Sequence, residues 1–301
     1  MPELATTLHT RLAALHEQLE REYGWARLEP TIEVRGPLVR VSARVAAPSV
    51  ARRIQAALVE ALPLGSTLQL DLRPLPILAW HALVEPRTRL WRHHPDHVGA
   101  RELATELAPG CGPLGLLARA GEAQLVRARD GTLGWTLDRL GEPTSPRPLT
   151  APHEHADAAA RLLAAARSWL GTPYLLGGAS RDHIDCSALV QRAFVDALGL
   201  VLPKNSNDQL ACAGGGRRDQ GVPEFGELLF IHSRRERRTH VGLTSERGTI
   251  VQASRTRSAV VEVALADYLA DAGWQARVAP ADLLTWSRTQ VGRDAIELPN
   301  R

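Results

Sequence analysis

Ile184-Asp185-Cys186-Ser187-Ala188-Leu189-Val190-Gln191-Arg192-Ala193-Phe194-Val195-Asp196-Ala197-Leu198-Gly199 is the stretch on which the fold of this chain turns. Ala188, Leu189, Ala193, Phe194 and Ala197 recur at helical spacing, so the segment from Cys186 reads as a helix with one apolar face, ending at Gly199. Asp185 stands where an N-cap carboxylate accepts the free N–H groups of a first turn. Cys186 therefore lies at a helix start, where unpaired backbone N–H groups and the positive helix end favour a thiolate. Upstream, Ala158 to Leu170 reads as an Ala/Leu-rich helix stopped by Gly171-Thr172-Pro173, and Gly177-Gly178 as a turn.

Downstream the pattern changes to alternation. Residues 226–231, 239–244, 249–253 and 260–263 read as strands joined by short loops, an antiparallel meander. In one sheet with simple hairpins, His240 and Gln252 can lie on adjacent strands. A cysteine at a helix end facing such a sheet is the papain-like solution for Cys–His catalysis.

Gly171-Thr172-Pro173-Tyr174, Gly177-Gly178, Asp185-Cys186-Ser187, Leu202-Pro203 with Ser206 and Gln209, Gly226-Glu227-Leu228, His240-Val241-Gly242 and Gln252-Ala253-Ser254 together resemble, in order and spacing, the NlpC/p60 cell-wall cysteine peptidases. Ala188 stands where that family usually has Gly, Glu227 where it usually has Asp, and Gln252 where it often has His. The resemblance implies an α+β, papain-like catalytic domain with a helix-borne Cys packed on an antiparallel sheet. It implies Cys186 as nucleophile, with its backbone N–H contributing to the oxyanion hole. His240 follows as the base that later protonates the leaving amine, and Gln252 as the group that orients it. Tyr174, Asp185, Ser187 and Ser206 match substrate positions, with Asp185 as partner for the α-ammonium of a free N-terminal L-Ala. The implied reaction is hydrolysis of the γ-D-glutamyl–diamino acid bond of peptidoglycan stem peptides, without a cofactor. Two other readings stand beside it: a catalytically inert wall-binding adaptor, and acyl transfer from the same thioester to an amine or lipid.

The rest of the chain reads as two further domains. In residues 1–76, Leu12, Leu15, Leu19 and Tyr23 form a helical stripe. Alternating runs at 31–35 and 38–45 follow, then a helix from Pro48-Ser49 through Leu62 and a strand at 67–72. This α-β-β-α-β order resembles the BON domain. In residues 77–145, Leu83-Val84 leads into Arg89-Leu90-Trp91, and an alternating strand at 122–128 meets the hairpin signal Asp130-Gly131 before Leu133-Gly134-Trp135-Thr136-Leu137. That ending resembles the final hairpin of bacterial SH3-like barrels, with Trp91 and Trp135 as barrel core. Prolines 143, 146 and 148 suit a semi-rigid linker to the catalytic domain at 150–301.

Composition narrows the function classes. The 301 residues are 44% hydrophobic, which excludes disorder as the main character. Lys+Arg 36 against Asp+Glu 33 leaves +3, with the charges interspersed and almost all the positive ones Arg, so no nucleic-acid-binding stripe is expected. The one basic cluster, Arg234-Arg235-Glu236-Arg237-Arg238, reads as a solvated hairpin loop beside His240 that can attract an anionic muropeptide. No run approaches a membrane span, and the charged amphipathic start is no secretion signal. With Cys111, Cys186 and Cys212 forming no pairing pattern, a reduced cytoplasmic protein is expected, with the cell envelope or secretion by another route as the alternative. His93, His94, His97, His153 and His155 complete no ligand set, so no metal is expected. Oligomeric state stays open.

Overall fold

A computed structural model describes residues 2–23, 25, 27–83, 87–96, 102–107, 112–146, 148–153, 157–216, 222–235, 238–246, 248–270, 272–293 and 296. Val84, His97, Cys111, Arg147, His155, Glu236 and Arg237, and the side chain of Tyr23, lie outside them. Three sheets organise the chain.

The first forms where alternation is strictest. β1 (Thr31–Arg35) and β2 (Leu38–Val45) pair antiparallel around Gly36, and β3 (Thr67–Pro74) joins β2 in parallel after a helical crossover. Val39, Val41, Ala43 and Val45 are buried against two helices, α1 (Pro2–Tyr23) and α2 (Pro48–Ala61). These present Leu8, Leu12, Leu15 and Leu19, and Val50, Ile54 and Leu58.

The second sheet has seven strands: β4 (Ala79–Leu83), β5 (Thr88–Trp91), β6 (Leu103–Leu107), β7 (Leu114–Ala120), β8 (Ala123–Arg127), β9 (Leu133–Thr136) and β10 (Leu140–Thr144), ordered β10-β4-β7-β8-β9-β5-β6. Asp130 closes the β8–β9 turn by accepting the Thr132 N–H at 2.9 Å, with Gly131 at φ +81°. Pro143, expected in a linker, is instead a strand residue opposite His81. β10 is an edge strand and its register shifts between Leu140 and Pro143, the two settings in which a strand tolerates a missing N–H. Leu117, Leu125 and Trp135 share one core with α1, α2 and β2, so the first two units are fused by burial.

The third unit is α+β. α3 (Ala158–Arg167) precedes α4 (Cys186–Leu198), the helix read from the opening stretch, and α5 (Ser206–Cys212), which the sequence did not announce. β11 (Leu228–Ser233), β12 (Arg238–Thr244), β13 (Thr249–Ser254) and β14 (Ala259–Ala264) form the expected meander. After α6 (Leu265–Leu269), β15 (Ala272–Val278) returns to pair with β11 and adds a fifth strand, and α7 (Pro280–Arg288) follows. Ala188, Leu189, Ala193 and Phe194 of α4 are buried against Val241, Leu243, Val251 and Ala253 of the sheet. Each fully buried large apolar side chain contributes about 2 kcal/mol, which outweighs helix propensity in fixing where α4 lies. Among the described residues no helix is long and apolar enough to cross a membrane, and Cys186 and Cys212 are in no disulfide.

α3 is tied to the sheet by charge. Arg167 donates from Nε and Nη2 to the two carboxylate oxygens of Glu262 on β14, at 3.0 and 2.8 Å. Above all the Arg167 guanidinium, helped by the Thr249 hydroxyl, holds the Glu262 carboxyl down at about 2. A depressed carboxylate stabilises fully above its unfolded value and loses that contribution as pH falls through the folded one. We expect Glu262→Gln to cost about 1 kcal/mol of unfolding free energy at pH 7 for this part-exposed pair. Urea unfolding at pH 7 and pH 3 checks this: the gap to wild type should narrow in acid, and an undiminished gap assigns the loss to something other than the ion pair.

Candidate active site

The site is built outward from the start of α4. Asp185, extended at φ −101° and ψ 174°, caps the helix by accepting the Ala188 N–H at 2.8 Å on Oδ1, which also accepts the Ser187 hydroxyl at 3.0 Å. Its other oxygen accepts the Gly177 N–H at 2.9 Å and the Lys204 ammonium at 2.5 Å. Asp185 and Lys204 are 3% and 5% exposed. Lys204 thus supplies an ammonium to Asp185 from within the chain, and both carboxylate oxygens are engaged.

Cys186 follows as the first helical residue, 9% exposed. α4 packs on β12 and β13, which carry His240 and Gln252. The His240 Nε2–H donates to Gln252 Oε1 at 2.6 Å, a tautomer that leaves Nδ1 as the basic nitrogen. The ladder between these strands runs at Leu243↔Val251 and Thr244↔Ile250, so toward the His240 end this side-chain bond couples the two strands. The Tyr268 ring lies 5.6 Å from the imidazole, and its hydroxyl donates to Leu229 O at 2.8 Å. Burial pushes the Tyr268 phenol well above its ordinary range, and negative charge on Cys186 pushes it the same way. Tyr268 thus stays a neutral donor and touches the fields of both Cys186 and His240.

The expected substrate residues divide. Tyr174 is half-buried, its N–H donating to Ser258 O at 2.9 Å, so the β13–β14 turn fixes its loop. Ser206, at the start of α5, donates its hydroxyl to Thr239 O at 3.0 Å, one residue from His240. Ser187 is buried with its hydroxyl turned to Asp185, and its carbonyl accepts the Gln209 amide at 2.9 Å. Asp185 and Ser187 therefore belong to the internal network under Cys186, while Tyr174 and Ser206 flank it.

The seven-stranded sheet covers one end. A Cβ on Gly177, at φ +85°, would sit 2.6 Å from Leu103 O of β6, so only glycine allows this approach. Ser180 donates to the buried Glu106 of β6 at 2.9 Å, and Gln191 of α4 donates to Asp130 at 3.1 Å. Sequence reasoning missed Lys204 and Tyr268. For Lys204 a signal existed: it is the only lysine among 36 Lys and Arg residues. Among the described residues no three His, Cys, Asp or Glu side chains gather as metal ligands.

A family model described as NlpC/P60 family matches residues 171–281. Over 111 residues the chain is 38% identical to a Haemophilus influenzae protein named "Probable endopeptidase", covering 36% of this chain and 67% of that one. It is 31% identical over 104 residues to a Bacillus subtilis "Gamma-DL-glutamyl hydrolase", covering 34% of this chain and 25% of that one. To the "Murein DD-endopeptidase MepS/Murein LD-carboxypeptidase" of Escherichia coli K12 it is 29% identical over 107 residues, 36% of this chain and 55% of that one. The chain thus spans about two thirds, a quarter and about half of these relatives.

Breaking a buried pair by removing one partner strands the other charge. We expect Lys204→Met and Asp185→Asn each to cost about 3 kcal/mol, and the double variant to cost clearly less than their sum. Denaturant unfolding of the four proteins measures this; strict additivity would mean the two groups do not depend on each other.

Proposed function

The chain belongs to the NlpC/P60 family, and from that premise we propose that it is a cysteine peptidase hydrolysing the γ-D-glutamyl–diamino acid bond of peptidoglycan stem peptides. The observation that carries the reading is the 2.6 Å bond from His240 to Gln252 beside the strands on which the Cys186 helix packs. Relatives named as an endopeptidase, a gamma-DL-glutamyl hydrolase and a murein endopeptidase support the substrate class.

In this mechanism His240 Nδ1 takes the Cys186 proton and the sulfur attacks the γ-carbonyl carbon. The resulting oxyanion accepts the Cys186 backbone N–H, one of the donors left unpaired at the helix start. As the C–N bond breaks, His240 returns the proton to the departing amine. Water then attacks the thioester, His240 takes its proton, and the γ-D-glutamyl acid leaves as the thiol is restored. Gln252 carries no charge, so it fixes the imidazole's tautomer and angle and does not compensate the imidazolium.

The first two units, read as BON-like and SH3-like, act here as a wall. β6 closes the Tyr174–Gly178 end, so the substrate is a short peptide ending at a free L-Ala, chosen by lack of room beyond it. Asp185 takes no part in that choice, because Lys204 neutralises it.

We expect Cys186→Ala and His240→Ala to lower kcat by at least ~10³-fold with unchanged thermal unfolding, and Gln252→Ala by about 10²-fold, since it removes orientation and no proton acceptor. Mass spectrometry of L-Ala-γ-D-Glu-diamino acid digests is the readout; wild-type turnover by Cys186→Ala rules the mechanism out. A free peptide should also exceed its N-acetylated twin in kcat/KM by about tenfold or more. Equal values would mean that the covered end is open to longer chains.

A further inference from the structure

A cavity of about 300 Å³ opens beside His240, walled by it with Gln252, Ser254 and Tyr268. Its rim carries three arginines from two hairpins: Arg235 from the β11–β12 turn, and Arg255 and Arg257 from the β13–β14 turn. Arg255 and Arg257 are exposed, and among the described residues neither guanidinium has an acidic partner within ion-pair distance. Other arginines of the molecule, among them Arg52, Arg53, Arg87, Arg89, Arg92, Arg167 and Arg277, face carboxylates of their own. Among the described residues the cavity lining holds one acid, Asp267.

The turn that bears them is held in place. Ser258 N donates to Arg255 O at 3.1 Å, Arg257 N to Ser254 Oγ at 3.2 Å, and the Tyr174 N–H to Ser258 O at 2.9 Å. Ser258 adopts φ +57°, a left-handed conformation that a serine keeps only where its surroundings impose it. Both guanidiniums therefore hang from a backbone fastened to the loops of the site, three and five residues beyond Gln252.

We propose that Arg255 and Arg257 form an anion subsite for the leaving half of the substrate, selecting a peptide that carries a free carboxylate just beyond the scissile bond. The inference rests on the hydrolase reading above and supplies the side that reading leaves undetermined. The group that protonates the departing amine must lie within hydrogen-bond reach of it, so the leaving residue rests against His240. The cavity that His240 walls is then where its remaining substituents go. A guanidinium with no resident partner recognises a carboxylate through paired N–H donors. Two carboxylates suit: the side-chain carboxylate of a dicarboxylic diamino acid such as diaminopimelate, and the α-carboxylate of a peptide that ends there. Lysine in that place lacks the first, and a C-terminal amide lacks the second.

The test binds four peptides, L-Ala-γ-D-Glu-X with X as diaminopimelate or lysine, each as free acid or C-terminal amide, to the full-length Cys186→Ala protein. The same titrations are run with Arg255→Gln/Arg257→Gln added. We expect loss of the recognised carboxylate to weaken Kd by about tenfold, and the double substitution to bring that ratio to within about twofold of unity. Whichever pair of peptides shows the ratio names the carboxylate. Equal Kd for all four, or a ratio the double substitution leaves unchanged, overturns the proposal. Turnover of the same peptides by wild type is scored separately: binding discrimination without cleavage refutes the hydrolase reading and leaves the anion subsite standing.

Discussion

Everything around Cys186 hangs on the carboxylate of Asp185. A buried ionised group is costly unless charge and hydrogen bonds offset its desolvation. Here four donors converge on it from three parts of the chain: the Ala188 N–H and Ser187 hydroxyl of the first turn of α4, the Gly177 backbone and the Lys204 ammonium. Each bond that compensates the charge also fixes a segment. One starts the helix at Cys186, another pins the glycine loop, and a third ties in the 200–204 connection through Lys204. Gln209 extends the same network to α5, whose first residue bonds the strand that bears His240.

This arrangement explains why the third unit does not stand as an isolated groove. The Gly177 loop that the carboxylate holds is the surface on which β6 rests, and the Asp130 turn reaches α4 through Gln191. Arg52 of α2 pairs with the buried Asp208 of α5, so the first unit also contacts the helix that buttresses the centre. Because the first two units share a core, a displacement of either one is transmitted to the covered end of the site.

Local patterning made much of this legible. The α4 helix, the four strands of the meander and the α-β-β-α-β start follow from period and punctuation alone, because each is dominated by its own buried face. The pairing of His240 with Gln252 was legible from their order along the chain. What escaped reading depends on partners far away in sequence. β15, Ala272–Val278, has weak alternation and is a strand because β11 offers an open edge. Pro143 reads as a linker residue and becomes a strand residue because β10 is peripheral. Asp185 reads as a cap and as an ammonium receptor, and its pairing with Lys204, nineteen residues later, was not legible from the local pattern.

Lys204 gives the molecule one more property. Its ε-amine is the only one carried by a side chain in the sequence, and it is 5% exposed. The outer surface is cationic through guanidinium groups alone, so acylating reagents, cross-linking esters and lysine-directed tagging find no side chain to modify while the fold is closed. Reactivity of that single amine becomes a reporter for one event, the parting of the ion pair at the start of α4, with no background from other lysines.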